Sequence, residues 1–273
     1  KFELMKNKKI LYVSSEVVPY LPESEISTSS FEIPKFVNKH GGQIRIFMPR
    51  YGNINERRHQ LHEVIRLSGL NLVINDLDMP LIIKVASIPK ERIQVYFIDN
   101  EEYFKRKSTF LDSNGKLFED NDERAIFFAK GVFETIKRLN WSPDIIHVHG
   151  WMACLLPLYF KKIYINDPIF EKTKIITSIY GNEFKEILNK DIGNKIGFDE
   201  IEESNYSELK NPTYENLLKV SANHSDALVI GSNNISNKLK KFLDAYKKPI
   251  LDFNELDSLD EPYLEFCENL FSK

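Results

Sequence analysis

Apolar segments alternate with amphipathic helical patterns along most of this chain, and this alternation restricts the fold more than any other feature. Four segments have the composition and length of buried strands: ILYVSS (10–15), IRIFMP (44–49), DIIHVHG (144–150) and KIITSIYG (174–181). Helical patterns at residues 28–40, 120–141 and 214–223 separate or follow them. Strands that alternate with helices form a parallel sheet covered on both faces. We therefore predict an α/β fold with a Rossmann-like, doubly wound, mostly parallel sheet.

Residues 67–99 interrupt this pattern. Apolar residues recur there at every second position, and the run is broken by Gly69 and by two short polar turns. Alternation with period two is typical of strands, so we expect a β-hairpin inserted into the sheet. We assign residues 5–273 to a single domain. Within it, the polar, glycine-containing residues 191–212 are expected to form a surface insertion, and residues 261–272 a closing helix.

Charge and composition exclude several classes of function. The formal net charge is −3 and the isoelectric point is near 6.1, which gives no electrostatic reason to bind nucleic acid or an anionic membrane. No apolar run approaches the roughly 20 residues that span a bilayer, so a cytoplasmic protein is expected. Cys154 and Cys267 are far apart in sequence and are predicted to be buried free thiols. We predict no metal site and no cofactor.

Four ordered blocks resemble one protein family. They are KKILYVSSEVVPY, IRIFMPRYGNI, EDNDERAIFFAKGVFE and PDIIHVHGWMACLLPLYFK. Together they resemble the N-terminal half of bacterial glycogen synthases and plant starch synthases, which show S-E-V-x-P, P-R-Y-G, D-N-x-E-R-F-x-F-F and P-D-x-x-H-x-H-D-W. The resemblance is clear over residues 8–162 and weaker through IITSIYGNEF and HSDALVIGSNNIS. It implies a GT-B glycosyltransferase that transfers glucose from ADP-glucose to an α-1,4-glucan, with the donor held between two Rossmann-like domains.

The loop after the first strand departs from the family pattern. Where the family shows K-x-G-G, this chain has LPESEISTSSFE, with Glu23 and Glu25 and neither lysine nor glycine. Glycine allows backbone N–H groups to approach a phosphate closely, and lysine supplies compensating charge, whereas carboxylates repel a diphosphate. The hydroxyl residues at 27–30 are expected to cap the following helix, with phosphate contact as the alternative.

Four residues are the candidates for ligand contact. Glu16, His149 and Trp151 match positions in the family blocks, and Tyr180 stands where the family has the histidine of T-I-H-N. A tyrosine can stack on a sugar ring, but a purely structural role is the alternative for Tyr180. His147 is expected to be structural.

Further positions near these candidates also differ from the family. Gly150 replaces the family's aspartate, and Met152 replaces its following histidine. A methionine cannot donate a hydrogen bond to a sugar hydroxyl as an imidazole can. In the segment DNDER, Asp120 or Asn121 is expected to cap a helix and Arg124 to form an ion pair.

These departures set the expected function. We expect a glycogen or starch synthase-like domain without a C-terminal GT-B domain, not catalytic by itself, whose possible ligands are an α-glucan or a sugar nucleotide. The alternative is a non-catalytic glucan-binding or regulatory module. A second chain that supplies the missing GT-B domain is a further possible partner.

Overall fold

A computed structural model describes residues 5–252 and 261–271 of the chain. The described residues contain ten strands: β1 (Lys9–Ser14), β2 (Gln43–Pro49), β3 (His62–Glu63), β4 (Leu70–Ile74), β5 (Leu77–Ser87), β6 (Gln94–Asp99), β7 (Ile145–His149), β8 (Lys174–Ile179), β9 (Ala227–Ile230) and β10 (Ile250–Leu251). They form one sheet in the order β10-β9-β8-β7-β1-β2-β6-β5-β3, and β4 pairs with β5. The seven strands from β10 to β6 are parallel to their neighbours, and β5 pairs antiparallel with β6, β3 and β4.

Eight α-helices lie in the described residues: α1 (Glu25–Lys39), α2 (Glu101–Phe104), α3 (Asn121–Leu139), α4 (Leu156–Tyr159), α5 (Ile192–Gly197), α6 (Tyr214–Asn223), α7 (Asn237–Asp244) and α8 (Glu261–Phe271). Helices cover both faces of the sheet. On one face, α1 meets β1 through the Ser14–Ser30 hydroxyl pair at 2.7 Å. On the other, α6 meets β8 through the Thr177–Ser221 pair at 3.0 Å. The predicted doubly wound α/β fold is therefore confirmed.

The inserted hairpin is also confirmed, as β4 and β5. These strands join through a turn at Asn75, which has a positive φ of 56°. An asparagine tolerates this left-handed conformation better than most residues. Side chains alternate between buried and exposed along β5 from Met79 to Leu81, as the period-two pattern predicts.

The first helix begins earlier than predicted. α1 starts at Glu25 and not at residue 28, because Ser24 is the N-cap residue. The Ser24 hydroxyl accepts from the Ser27 N–H at 3.0 Å, and the Ser27 hydroxyl accepts from the Ser24 N–H at 2.8 Å. This reciprocal capping box fixes the helix start: the N-cap residue is Ser24, outside the expected residues 27–30, and Ser27 takes part in the cap as its partner.

Arg124 forms no ion pair with any residue that the structure describes, contrary to expectation. Asp120 is the N-cap residue of α3 but makes no side-chain cap, because both of its oxygens accept from Arg106. The buried Arg124 guanidinium donates instead to the Tyr103 carbonyl and to Asn121 Oδ1, both at 2.7 Å. The prediction of an Arg124 ion pair is wrong, because Arg106 in the preceding loop pairs with Asp120.

The segment 191–212 contains α5 and two short 3-10 turns. It contributes apolar side chains such as Ile192 and Leu209 to the core, and Lys195 forms an ion pair with the buried Asp122 at 2.8 Å. Helix α8 covers most of the predicted closing helix, whose position 272 lies outside the described residues. Cys154 and Cys267 are buried free thiols, as predicted.

Candidate functional site

The strand order places a crevice at the carboxyl ends of β1 and β7. The chain runs outward from β1 through β2 to β6, then returns to β7 on the other side of β1 and continues through β8. Ligands of doubly wound sheets bind at such a reversal point, outside the carboxyl ends of the strands. The loops that follow β1, β7 and β8 therefore define the candidate site.

The loops after β1 and β7 are locked together. The Ser15 N–H donates to the His149 carbonyl at 2.9 Å, and the Ser15 hydroxyl accepts from the Met152 N–H at 3.0 Å. Between them, Gly150 has a positive φ of 81°. A Cβ atom at Gly150 would lie 2.4 Å from the Ser15 hydroxyl oxygen. A side chain at position 150 would therefore force Ser15 to shift and would adopt a strained backbone conformation.

A cleft of about 260 Å³ opens beside these loops. Its walls include three carboxyl groups, two aromatic rings and two amides, from Glu16, Glu25, Glu183, Phe110, Tyr180, Asn182 and Asn234. Among the described residues that line it there is no lysine or arginine. The cleft is therefore acidic, with hydrogen-bonding groups arranged around aromatic surface.

The N-terminus of α1 faces this cleft but is already occupied by groups of the chain itself. Its Ser24–Ser27 capping box satisfies backbone N–H groups, and the Ser24 hydroxyl donates to Glu16 Oε2 at 2.6 Å. Glu25 adds a carboxylate in the first turn. A helix N-terminus attracts anions, but here two carboxylates of the protein already take that place.

Glu183 is a cleft residue that the sequence analysis missed. Its Oε1 accepts hydrogen bonds from the Trp151 N–H at 2.9 Å and from the Tyr214 hydroxyl at 3.2 Å. Burial, and then the nearby charge of Glu16, raise the pKa of Glu183 to about 8, although both hydrogen bonds oppose the shift. Near neutral pH this carboxyl is mostly protonated and can donate a hydrogen bond as well as accept one.

Tyr180 forms part of the cleft wall and is held from behind by His149. The Tyr180 hydroxyl lies 2.7 Å from Nδ1 of His149. Burial lowers the pKa of His149 to about 3, so the imidazole is neutral at physiological pH. A Cβ atom at Gly231 would lie 2.6 Å from the Tyr180 ring, which shows how closely the backbone packs against the ring.

Trp151 contributes its backbone to the site and its ring to the layer behind it. The side chain is buried, and its ring meets Phe110 and Phe184 edge-on at 5.6 and 5.4 Å between centroids. The buried indole N–H makes no hydrogen bond within the described part of the chain. Trp151 therefore supports Phe110, which does line the cleft.

The structure brings the four candidates together. Glu16 and Tyr180 line the cleft, while His149 and Trp151 are fully buried directly behind it. Contact of any of them with a ligand remains a prediction. The one sequence signal for Glu183 is its place in NEF, just past the end of a predicted strand.

The described residues contain neither a metal-binding cluster nor a membrane-spanning helix. No group of three or more histidine, cysteine, aspartate or glutamate side chains there is arranged to hold a metal ion. No helix within residues 5–252 and 261–271 is both long and apolar enough to cross a bilayer.

Comparison with known proteins decides the family. The family model described as the starch synthase catalytic domain matches residues 9–246. The chain belongs to the starch synthase catalytic domain family. A glycogen synthase of Chlorobium limicola is 38% identical over 228 residues, covering 83% of this chain and 46% of the relative. A glycogen synthase of Chlorobaculum tepidum is 33% identical over 276 residues, covering 97% of this chain and 52% of the relative.

A solved structure agrees on the fold. The catalytic domain of starch synthase IV from Arabidopsis thaliana, bound to ADP and acarbose, superposes with a TM-score of 0.71 at 14% identity. The match covers 93% of this chain and 53% of that structure. This member of the starch synthase family thus spans about half the length of the curated relatives it matches.

Proposed function

We propose that this chain forms one wall of a glucosyltransferase cleft of the glycogen and starch synthase type, and that its 273 residues alone do not transfer glucose. The observation that carries the proposal is the charge of the cleft: Glu16 and Glu25 line it beside the mostly protonated Glu183, and no basic side chain is among its described lining residues. The cleft is suited to sugar hydroxyl groups and unsuited to a diphosphate.

The reaction of the family explains why the charge of the cleft determines whether it can support glucose transfer. Transfer of glucose from ADP-glucose leaves ADP behind, and the developing negative charge on the diphosphate must be stabilised by cations or aligned dipoles. At this cleft the positive end of α1 faces Glu16 and Glu25, and its cap residue Ser24 is committed to Ser27 and Glu16. Stabilisation of ADP would therefore have to come from groups outside the cleft described here.

The same residues favour a sugar. Phe110 presents aromatic surface beside the nearly buried Tyr180, and Asn234 and the carboxyl groups can accept hydrogen bonds from hydroxyls. The starch synthase IV structure contains acarbose as well as ADP. By analogy of fold, we assign an α-glucan, and not the nucleotide, as the principal ligand of this wall.

A complete transferase needs a second wall. The matched relatives are about twice as long as the part of them that this chain covers. We propose that the groups that bind ADP belong to a second GT-B domain, supplied by the same protein or by another chain.

The test is incorporation of labelled glucose from ADP-glucose into glycogen by the purified chain. The full-length glycogen synthase of Chlorobium limicola serves as positive control and a protein-free blank as negative control. We expect incorporation equal to the blank. Transfer above the blank, in proportion to the concentration of the chain, would contradict the proposal.

The alternative is a glucan-binding or regulatory module that takes part in no transfer. The observation that favours it is the hydrogen bond from the Ser24 hydroxyl to Glu16, because it occupies the N-terminus of α1 with a carboxylate of the chain itself. Adding the chain to a glycogen synthase of a relative distinguishes the two proposals. A regulatory module should change the rate of that synthase, whereas a domain that only forms one wall of a transferase cleft should not.

A further inference from the structure

A row of polar side chains lies on the α1 side of the sheet, inside the protein. Tyr12 on β1 pairs in register with His147 on β7, and His149 follows two residues later on the same face. None of the three has any exposed surface. Buried polar groups are costly unless they are hydrogen-bonded, so the partners of these rings matter to the fold.

Helix α8 supplies a partner from outside the sheet. The hydroxyl of the fully buried Tyr263 lies 2.8 Å from Nδ1 of His147 and 3.1 Å from the Tyr12 hydroxyl. The Tyr263 and His147 rings are stacked, with an interplanar angle of 16°. One hydroxyl therefore serves both central strands of the parallel sheet.

The network continues from His147 to the cleft. Nε2 of His147 lies 2.8 Å from the Ser178 hydroxyl, and the hydroxyls of both Ser29 and Ser178 lie near that of Tyr180. The His147 ring also packs on His149 at 4.1 Å between centroids, and His149 holds the Tyr180 hydroxyl at 2.7 Å. Two routes thus join α8 to the same cleft residue.

We propose that Tyr263 is a positioning residue for the cleft, which fixes the Tyr180 hydroxyl through His147, Ser178 and His149. A neutral imidazole donates at one nitrogen and accepts at the other. The partner at Nδ1 of His147 therefore influences which way the Ser178 hydroxyl points, and with it the hydrogen bond available to Tyr180. Burial and the neighbouring His149 hold the pKa of His147 well below its usual value, which keeps this ring neutral.

A purely structural role makes a different prediction. If Tyr263 only fills space, Tyr263→Phe keeps the ring and its stacking, and at most lowers stability. If Tyr263 positions the cleft, the same variant leaves Nδ1 of His147 unpaired and changes the surroundings of Tyr180. The matched control is Leu270→Ala, which removes a buried side chain of α8 that belongs to no hydrogen bond of the network.

The first readout needs no ligand. Long-range proton–nitrogen NMR spectra of histidine-labelled protein report the tautomer of each ring, and carbon-labelled tyrosine reports Tyr180. We expect Tyr263→Phe to shift the signals of His147, His149 and Tyr180, while Leu270→Ala leaves them in place. A change confined to His147 would overturn the inference. If Tyr263→Phe does not fold, Ser178→Ala interrupts the same path within β8 and should shift Tyr180 in the same way.

The second readout rests on the proposed function, because it uses maltoheptaose as the probe. We expect Tyr263→Phe to weaken binding about fivefold to tenfold, which corresponds to the loss of one well-placed hydrogen bond, and Leu270→Ala to leave it unchanged. Equal affinities of Tyr263→Phe and wild type would contradict the positioning role. A wild-type chain that binds no maltoheptaose would contradict the proposed function instead, and the NMR readout would still decide the inference.

Discussion

The carboxylate of Glu183 accepts a hydrogen bond from the backbone N–H of Trp151 at 2.9 Å, so the loop after β8 is tied to the turn after β7. The two residues are 32 positions apart, and their contact forms one corner of the acidic cleft. Because the same carboxyl also lies near Glu16, its protonation links the charge of the cleft to the stability of the fold.

Replacement of Glu183 by glutamine should change how stability depends on pH. The folded protein raises the pKa of Glu183 from 4.5 to about 8, so it binds this proton more tightly than the unfolded chain does. The resulting stabilisation is complete below pH 4.5 and is lost as the pH rises through 8. Glu183→Gln lacks this titration, so its free energy of unfolding relative to wild type should rise by about 2 kcal/mol between pH 5 and pH 9. This value allows for the partial exposure of Glu183 at the cleft, which weakens the effect. Urea unfolding at both pH values checks this, and parallel curves for the two proteins would refute it.

Gly150→Ala should destabilise the protein by about 3 kcal/mol, through its positive φ and through a clash with Ser15. Gly115→Ala is the matched control, since Gly115 also has a positive φ, of 76°, but open space around it. The control should lose only about 1 kcal/mol. Thermal unfolding of both variants measures the difference. Equal losses would show that close packing against Ser15 contributes nothing.

Breaking the Lys195–Asp122 ion pair should destabilise the fold strongly. Asp122 has no exposed surface, and its Oδ2 lies 2.8 Å from Lys195 Nζ. Lys195→Met leaves this carboxylate buried without its cation, at a cost of about 3 kcal/mol. The double variant Lys195→Met with Asp122→Asn should recover part of the loss in chemical unfolding. Additive losses in the double variant would contradict a direct interaction.

Removal of acid from the cleft should improve nucleotide binding. Glu25→Gln takes one carboxylate away from the lining, and ADP should then bind about fivefold more tightly at low salt, because one repulsive charge is lost. Glu23→Gln is the control, since Glu23 is exposed but does not line the cleft. Fluorescence titration with a labelled ADP compares the two. Identical effects of both variants would mean that only the overall charge matters.

Most of the fold could be predicted from the sequence because the signals are local. The buried strands, the 214–223 helix and the β4–β5 hairpin follow from periodicity within each segment. The start of α1 was misplaced by three residues because a run of hydroxyl side chains offers several possible caps. Only the reciprocal bonds between Ser24 and Ser27 select one of them.

The site was harder to predict because its chemistry depends on contacts between distant residues. The raised pKa of Glu183 comes from burial and from Glu16, which is far away in sequence. Arg124 donates to Tyr103 and Asn121 and not to Asp120, because Arg106 from the preceding loop pairs with that acid. Neither the proximity of Glu16 to Glu183 nor the pairing of Arg106 with Asp120 can be predicted from residue spacing along the chain.

The most direct test of the cleft's preference is calorimetric titration of one preparation of the wild-type chain with maltoheptaose and, separately, with ADP. An acidic cleft that holds sugar hydroxyls should bind maltoheptaose measurably and ADP at least about tenfold more weakly at low salt, where repulsion is greatest. Tighter binding of ADP than of maltoheptaose would contradict the assignment of this wall to the glucan.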